Sequence, residues 1–169
     1  MAEDSGGWLM IHIRAPRSDD QDEWVRMRRA LWPDCPDDQH LAEIGLFLQG
    51  GHDAAPASCR YAVGEIAAWV AERPSGGLCG FLEASIWPYA EGAEAQPVGY
   101  IEGWYVDPDM RKHGDGRALV VAAEGWARSL GCRQMASDAE TENAVSIKAY
   151  VAIGYREVGR AVHFSKDLG

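Results

Sequence analysis

Residues 106 to 119 read VDPDMRKHGDGRAL, and this stretch decides the fold. It joins an alternating apolar segment to a segment with helical spacing, so it predicts a strand that gives way to a helix. At such a junction the first backbone N–H groups of the helix converge, with the positive end of the helix dipole behind them. Gly114 and Gly116 allow close approach and positive φ. The turn therefore predicts an anion site, with an ordinary glycine-rich turn as the alternative.

Other phosphate motifs do not fit this turn. No Gly-Lys-Ser/Thr follows it, and it lacks the three glycines of the dinucleotide-binding fingerprint. The whole chain has 16 basic and 26 acidic residues, a formal net charge of -10. That balance disfavours a nucleic-acid partner and suits a cationic small molecule.

Length and composition predict a single domain over residues 1–169, with residues 1–8 as a loose tail. No apolar run reaches the roughly 20 residues of a membrane span, and the acidic amino terminus does not resemble a secretory signal. We expect a cytoplasmic protein without a membrane partner. Cys35, Cys59, Cys79 and Cys132 lie far apart, which predicts reduced, buried thiols and no metal site.

The pattern around the turn predicts the remaining elements. A short strand lies in LMIHIRA (residues 9–15), and helices cover residues 18–32 and 37–49. A loop at residues 52–60 precedes three strands at 66–72, 78–87 and 98–106, which form an antiparallel meander. A helix at 116–130, a short strand in 133–138 and a helix at 143–153 follow. Residues 155–167 are predicted to form two last strands, or one strand bent at Gly159.

Two ordered motifs resemble those of the GNAT superfamily of N-acetyltransferases. The first is V-D-P-x-x-R-x-x-G-x-G-x-x-L at residues 106–119, similar to that superfamily's acyl-CoA-binding motif. The second runs from Asn143 through Ala149 and Tyr150 to Gly154 and Tyr155, similar to its later N…AxxxYxxxG helix and strand. The resemblance implies an α+β GNAT fold, a mixed central sheet of about six to seven strands flanked by about four helices.

A closer resemblance, to the aminoglycoside 6'-N-acetyltransferases, covers nearly the whole chain. It rests on ALWPD (30–34), LEASI (82–86), IEGWYV (101–106) and MASD (135–138). It implies acetyl transfer from acetyl-CoA to the 6'-amine of an aminoglycoside, hence antibiotic resistance, and a homodimer. Cys35 and Gly159 depart from the family pattern, where His and an acid are frequent, and Tyr150 stands where some relatives have His.

Acetyl transfer needs a neutral amine, a donor for the developing oxyanion and a proton for the departing thiolate. Glu102 is the candidate that attracts the cationic amine and accepts its proton, with a solvated strand carboxylate as the alternative. Tyr150 is the candidate acid, with a buried packing residue as the alternative. The fold that the resemblance implies places Asp138 in the same cleft as Glu102.

Further acceptor contacts are predicted, each with a plainer alternative. Asp138 ends a strand beside that of Glu102, or serves as a turn or cap aspartate. Trp32 and Tyr89 provide flat walls for sugar rings, or fill the core. Glu83 is either another acceptor contact or an exposed strand residue.

By resemblance, backbone groups of Trp104, Tyr105 and Val106 bind the pantetheine arm. The pyrophosphate turn consists of Lys112, His113, Gly114, Asp115, Gly116 and Arg117. The carboxylate of Asp115 is expected to point outward, so that only its N–H is used. Asn143 reaches the cofactor from the other side, or caps its helix.

Other functions stay open at this point. The same fold can acetylate another small polyamine or a protein amino terminus. A non-catalytic acyl-CoA sensor would keep only the cofactor turn, and a structural module would bind nothing there.

Overall fold

The computed structural model describes residues 11–49 and 64–169. The expected loose tail and the loop at 52–60, with Cys59, lie outside the described residues. Five strands and four helices follow one another in the described parts: β1 (His12–Arg14), α1 (Gln21–Leu31), α2 (Asp37–Leu48), β2 (Ile66–Glu72), β3 (Leu78–Trp87), β4 (Val98–Val106), α3 (Asp115–Ser129), β5 (Met135–Ser137) and α4 (Ala144–Ala152).

The strands form one mixed sheet in the order β1-β2-β3-β4-β5. The first four strands are antiparallel neighbours, which confirms the predicted meander, and β5 pairs parallel to β4. Parallel neighbours need a crossover, and α3 supplies it. The predicted α+β class is therefore confirmed.

Helices cover both faces of this sheet. The apolar face of α1 buries Trp24 and Met27 with Phe47 of α2 against Phe81 of β3. On the other face, residues of α3 pack against alternate residues of β3 and β4: Leu119, Ala123, Leu82 and Ile101. Successive side chains of β3 point to opposite faces of the sheet and enter the two cores in turn. All of its first eight residues are therefore buried.

The predicted number of strands is wrong at the carboxyl end of the chain. Residues 155–169 form no strand, and residues 156–169 are all exposed. A strand exists only where its backbone groups pair with a neighbouring strand, and within the described residues this segment pairs with none. Cys79 and Cys132 are buried free thiols as predicted, whereas Cys35 is half-exposed.

No helix in the described parts of the chain has the length and apolar character needed to cross a lipid bilayer.

Candidate active site

The glycine turn has the backbone geometry of an anion site. Between the end of β4 and the start of α3, Lys112 has φ +68° and Gly114, the N-cap of α3, has φ +99°. Both values lie in the left-handed region, where glycine is favoured and lysine is uncommon. Arg111 donates through Nε to the carbonyl of Val106 (3.0 Å), which folds the turn back onto β4. The N-terminus of a fifteen-residue helix therefore opens beside exposed basic side chains.

Asp107 anchors this turn to the rest of the domain. It is buried and accepts hydrogen bonds from Arg26 of α1 (2.9 and 3.0 Å) and from Arg73 after β2 (2.8 Å). Burial alone would raise the pKa of Asp107, but the two guanidinium groups hold it below its usual value. The turn is thus fixed to both α1 and the sheet. Sequence reasoning quoted this aspartate within the motif but gave it no role.

The expected outward orientation of Asp115 is wrong. As the first residue of α3 it is 5% exposed, and its Oδ2 has no hydrogen-bond partner in the described structure. Burial raises the pKa of its carboxyl group, and the charge of His113 opposes that rise. The carboxylate also lies near Cys79, whose pKa is raised to about 11 by burial first and by Asp115 second. The side chain therefore faces β3 beneath the turn, not the anion site.

Gly116 lets α3 approach the indole ring of Trp104. A Cβ at this position would lie 2.8 Å from a ring carbon of Trp104, closer than any side chain allows. Tyr150 of α4 packs edge-on against the same indole, with 5.2 Å between ring centroids. The glycine turn, β4 and α4 therefore meet at Trp104.

β4 and β5 part beside this point. Their pairing runs from Gly99 opposite Met135 to Ile101 opposite Ser137 and then stops. Residues 102–106 of β4 consequently have no strand on that side within the described residues. Their outward backbone N–H and C=O groups form an open edge that an extended ligand can pair with, as one more strand would.

Glu102 lies at a β-bulge beside this gap. Glu83 of β3 pairs with Gly103 and Ala84 pairs with Ile101, so Glu102 is the extra residue on β4. Its Oε1 accepts hydrogen bonds from Trp87 Nε1 (2.7 Å) and from Ser85 Oγ. Sequence reasoning missed Ser85 and Trp87. Their spacing of two on β3 is a signal that they share a face, but it does not distinguish a site from an ordinary strand.

Asp138 lies directly after the last paired residue of β5, across the gap from Glu102. Its Oδ1 accepts a hydrogen bond from the hydroxyl of Tyr100 (2.7 Å), a residue that the sequence also did not single out. Burial, and then Asp138, raises the pKa of Tyr100 well above its usual value, so the phenol stays a donor. Two carboxylates thus flank the point where the strands part.

Tyr150 reaches the same gap from α4. Its hydroxyl lies 2.7 Å from Ser137 Oγ, and Ser137 in turn donates to the carbonyl of Ile101 (3.0 Å). Either hydroxyl can be the donor in the bond between Tyr150 and Ser137. Burial raises the pKa of Tyr150 to about 12, although the bond to Ser137 opposes the rise. The phenol is therefore protonated at neutral pH.

Asn143 caps α4, as the alternative interpretation expected. Its Oδ1 accepts a hydrogen bond from the backbone N–H of Ser146 (3.0 Å). That bond satisfies one of the free donors of the first turn.

The two predicted aromatic walls differ in placement. Trp32 lies against the α-carbon of Gly103, the neighbour of Glu102, where a Cβ would collide with the indole. It also contacts Phe81, with 6.1 Å between ring centroids. Tyr89 is 54% exposed beyond β3 and donates to Glu91 (2.9 Å).

Glu83 does not face the cleft. Its carboxylate is fully buried and accepts hydrogen bonds from Arg28 Nη1 (2.5 Å to each oxygen) and Trp24 Nε1 (2.9 Å). Arg28 also pairs with Glu43 of α2. Both predictions for Glu83, a contact with the acceptor and an exposed position on the strand, are therefore wrong, because α1 covers its face of the sheet. Burial raises the pKa of Glu83, and Arg28 opposes the rise.

Among the described residues, no group of His, Cys, Asp and Glu is arranged to hold a metal ion. The site offers carboxylates, a protonated phenol, an open strand edge and a turn with the backbone geometry of an anion site.

Comparison with known families gives one match over most of the chain. Residues 20–155 match the model of the acetyltransferase (GNAT) family. Among curated proteins, the chain is 42% identical to an aminoglycoside N(6')-acetyltransferase type 1 of Klebsiella aerogenes, over 92% of this chain and 96% of that protein. It is 35% identical to the protein of the same name from Salmonella typhimurium, over 92% of this chain and 99% of that one.

Solved structures show the same likeness. One is AAC(6')-Iy in complex with the bisubstrate analogue CoA-S-monomethyl-acetylneamine, with a TM-score of 0.79, 33% identity, and coverage of 94% of this chain and 99% of that one. Another is AAC(6')-Iy in complex with CoA, with a TM-score of 0.80 and 34% identity. That match covers 93% of this chain and 95% of that one.

Proposed function

Because this chain belongs to the acetyltransferase (GNAT) family, we propose that it transfers the acetyl group of acetyl-CoA to the 6'-amine of aminoglycoside antibiotics. The observation that carries the choice of acceptor is the pair of carboxylates, Glu102 and Asp138, at the point where β4 and β5 part. A polycationic acceptor matches two acids in one cleft. Acetylation would remove one of its positive charges, which is the basis of the proposed resistance.

Acetyl-CoA fits the other half of the cleft. The N-terminus of α3 would hold its pyrophosphate, with backbone N–H groups and the basic residues Lys112, His113 and Arg117 facing the phosphates. Burial of the Asp115 carboxylate away from the turn removes a repulsion there. The open edge at Trp104, Tyr105 and Val106 would pair with the pantetheine arm, and Asn143 would border it.

The residues around the gap then have separate chemical roles. Glu102, helped by Asp138, would attract the ammonium group and accept its proton, directly or through a water molecule. The neutral amine would attack the thioester carbonyl, whose oxyanion a backbone N–H of the open edge would stabilise. Tyr150 would give its proton to the departing thiolate. Trp32 and Tyr89 would contact the sugar rings.

The direct test is release of the CoA thiol with a set of acceptors. We expect rapid release with neamine and none with the analogue of neamine that has a hydroxyl in place of the 6'-amine. Spermidine and a peptide with a free amino terminus test the other acceptor classes. Equal rates on neamine and its hydroxyl analogue would refute the 6' position. Thermal stabilisation by CoA without thiol release from any amine would indicate a sensor instead, and no stabilisation at all would indicate a structural module.

Replacing Tyr150 with Phe is expected to lower kcat by about 100-fold, because it removes the proton donor and keeps the ring against Trp104. Since the pKa of Tyr150 is raised to about 12, the wild-type rate should show no loss from ionisation of this phenol below about pH 10. Steady-state kinetics on neamine at saturating acetyl-CoA measure both.

Tyr155→Phe is the matched control for this variant. Tyr155 packs on Tyr150, with 5.4 Å between ring centroids, and its hydroxyl makes a long hydrogen bond to Glu124 (3.4 Å). The Tyr155→Phe variant should have a kcat within about twofold of the wild-type value. Unchanged turnover in a well-folded Tyr150→Phe enzyme would exclude the acid role.

The carboxyl-terminal segment supports a homodimer as the working assembly. Residues 156–169 extend into solvent with Val162, Phe164 and Leu168 at least 77% exposed. Such a run of exposed apolar side chains marks an interaction site. A second copy, whose β5 has an open outer edge in the described part of the sheet, would cover it. Light scattering should give a dimer for the full chain and a monomer for Phe164→Asp; a monomeric full chain would refute the proposal.

A further inference from the structure

Trp87 and Tyr100 form a stacked pair beneath the two carboxylates of the cleft. Their ring centroids are 4.4 Å apart and their planes differ by 17°. We propose that this pair positions Glu102 and Asp138, and so sets the affinity and rate for the cationic acceptor. The inference rests on the proposed function, which gives the two acids their role.

The register of the sheet brings the two rings together. Ser85 of β3 pairs with Tyr100 of β4, and Trp87 lies two residues further along β3 on the same face. The rings are therefore diagonal neighbours, which aromatic side chains can span. Both rings are half-buried.

Each ring donates one hydrogen bond to one acid. Trp87 Nε1 lies 2.7 Å from Glu102 Oε1, and the hydroxyl of Tyr100 lies 2.7 Å from Asp138 Oδ1. Ser85 Oγ, 2.8 Å from Trp87 Nε1, is a further donor to Glu102. Hydrogen bonds of this kind, to ionised acceptors, are stronger than those between neutral groups.

The stack links two acids that the backbone leaves apart. β4 and β5 no longer pair at Glu102 and Asp138, so the strands alone do not fix the distance between the carboxylates. Tyr100 bridges that gap from β4 to Asp138, and its ring rests on the one that holds Glu102. Charges fixed in this way need no reorganisation when the ammonium groups of the acceptor arrive.

Two conservative variants separate the donors from the stack. Trp87→Phe keeps a flat ring but loses the donor to Glu102, and Tyr100→Phe keeps its ring but loses the donor to Asp138. We expect each to lower kcat/KM for neamine about tenfold, the effect of one lost hydrogen bond to a charged group. Trp87→Phe should act mainly on kcat, and Tyr100→Phe mainly on KM for neamine. KM for acetyl-CoA should stay unchanged in both.

Removal of the stack should lower kcat/KM for neamine more than removal of either hydrogen-bond donor does. Tyr100→Leu is expected to lower kcat/KM for neamine by a further factor of about three to ten relative to Tyr100→Phe, because the ring contact is lost as well. The difference between the two variants at this position measures the stack alone.

Trp126→Phe is the control, since it makes the same change in an aromatic pair on the opposite face of the sheet, where Trp126 packs on Trp69. If Trp87→Phe does not fold, Ser85→Ala tests the same claim by removing the other donor to Glu102. Values of kcat/KM for neamine within twofold of wild type in both conservative variants would overturn the inference, as would an equal rise in KM for acetyl-CoA. Inactivity of the wild-type enzyme on neamine would instead refute the proposed function on which the inference rests.

Discussion

Glu102→Gln is expected to lower kcat/KM for a 6'-amino aminoglycoside by about 10²- to 10⁴-fold, the usual effect of removing a general base. Glutamine keeps the size of the side chain, and its amide oxygen can still accept from Trp87 and Ser85. It loses the negative charge and the basicity on which the proposed role of Glu102 depends. Steady-state thiol release with neamine as the varied substrate measures the loss.

The deficit of this variant should shrink as the pH rises. A larger fraction of the acceptor amine is then neutral before it binds, so less of the rate depends on a protein base. Binding of CoA, measured by calorimetry, should not change, because the proposed function places Glu102 on the acceptor side of the gap.

Asp22→Asn is the matched control for charge. Asp22 is exposed on the first turn of α1, so its replacement removes one negative charge without touching the cleft. It should leave kcat/KM within about twofold. If Glu102→Gln behaves like this control, another group removes the proton from the amine.

Local sequence patterns were sufficient to predict most of the strands of the sheet. The predicted bounds of β2, β3 and β4 agree with the structure because alternation and turn residues mark both ends of each strand. The turn that begins α3 was equally predictable, since Gly114 and Gly116 have conformational and steric reasons for being glycine. Each of these features depends on residues close together in the chain.

The errors concern contacts between distant parts of the chain. Glu83 alternates with apolar neighbours like any exposed strand residue, and its burial depends on the positions of Trp24 and Arg28 on α1. Asp115 looks exposed beside basic residues, yet it is the first residue of a helix and faces β3. The expected strands after Tyr155 have strand-like composition but no partner within the described chain. No local pattern carries this information.

Ser85, Trp87, Tyr100 and Ser137 were missed for a related reason. Each is an ordinary residue of an amphipathic strand until the β-bulge at Glu102 and the gap between β4 and β5 are known. The bulge places Glu102 beside Ser85 and Trp87, while its neighbour Gly103 lies against Trp32. A one-residue irregularity in pairing thus determines which side chains surround the candidate base.

The second large effect is expected from Arg28→Met, which should lower the free energy of unfolding by about 3–5 kcal/mol. Arg28 is 1% exposed and is the cation that both Glu83 and Glu43 contact. Its loss leaves two buried carboxylates without that positive charge. The resulting loss of folding free energy is far larger than the attraction between the ions alone. Urea denaturation at fixed protein concentration measures the change.

The loss of stability in Arg28→Met should depend on pH. Burial already raises the pKa of Glu83, and removal of Arg28 takes away the group that opposes the rise. An acid whose pKa is higher in the folded state destabilises that state as pH rises through the folded pKa. The difference from wild type should therefore be smaller at about pH 5 than at about pH 8.

Two comparisons isolate the buried charge as the cause. Arg29→Met removes the neighbouring arginine, whose pair with Asp37 is exposed, and it should change stability little. The triple variant Arg28→Met/Glu43→Gln/Glu83→Gln removes the whole network and should recover at least half of the loss, because no buried charge is left uncompensated. If Arg28→Met costs no more than Arg29→Met, then Glu83 and Glu43 do not depend on this cation, and packing of α1 and α2 alone holds that side of the sheet.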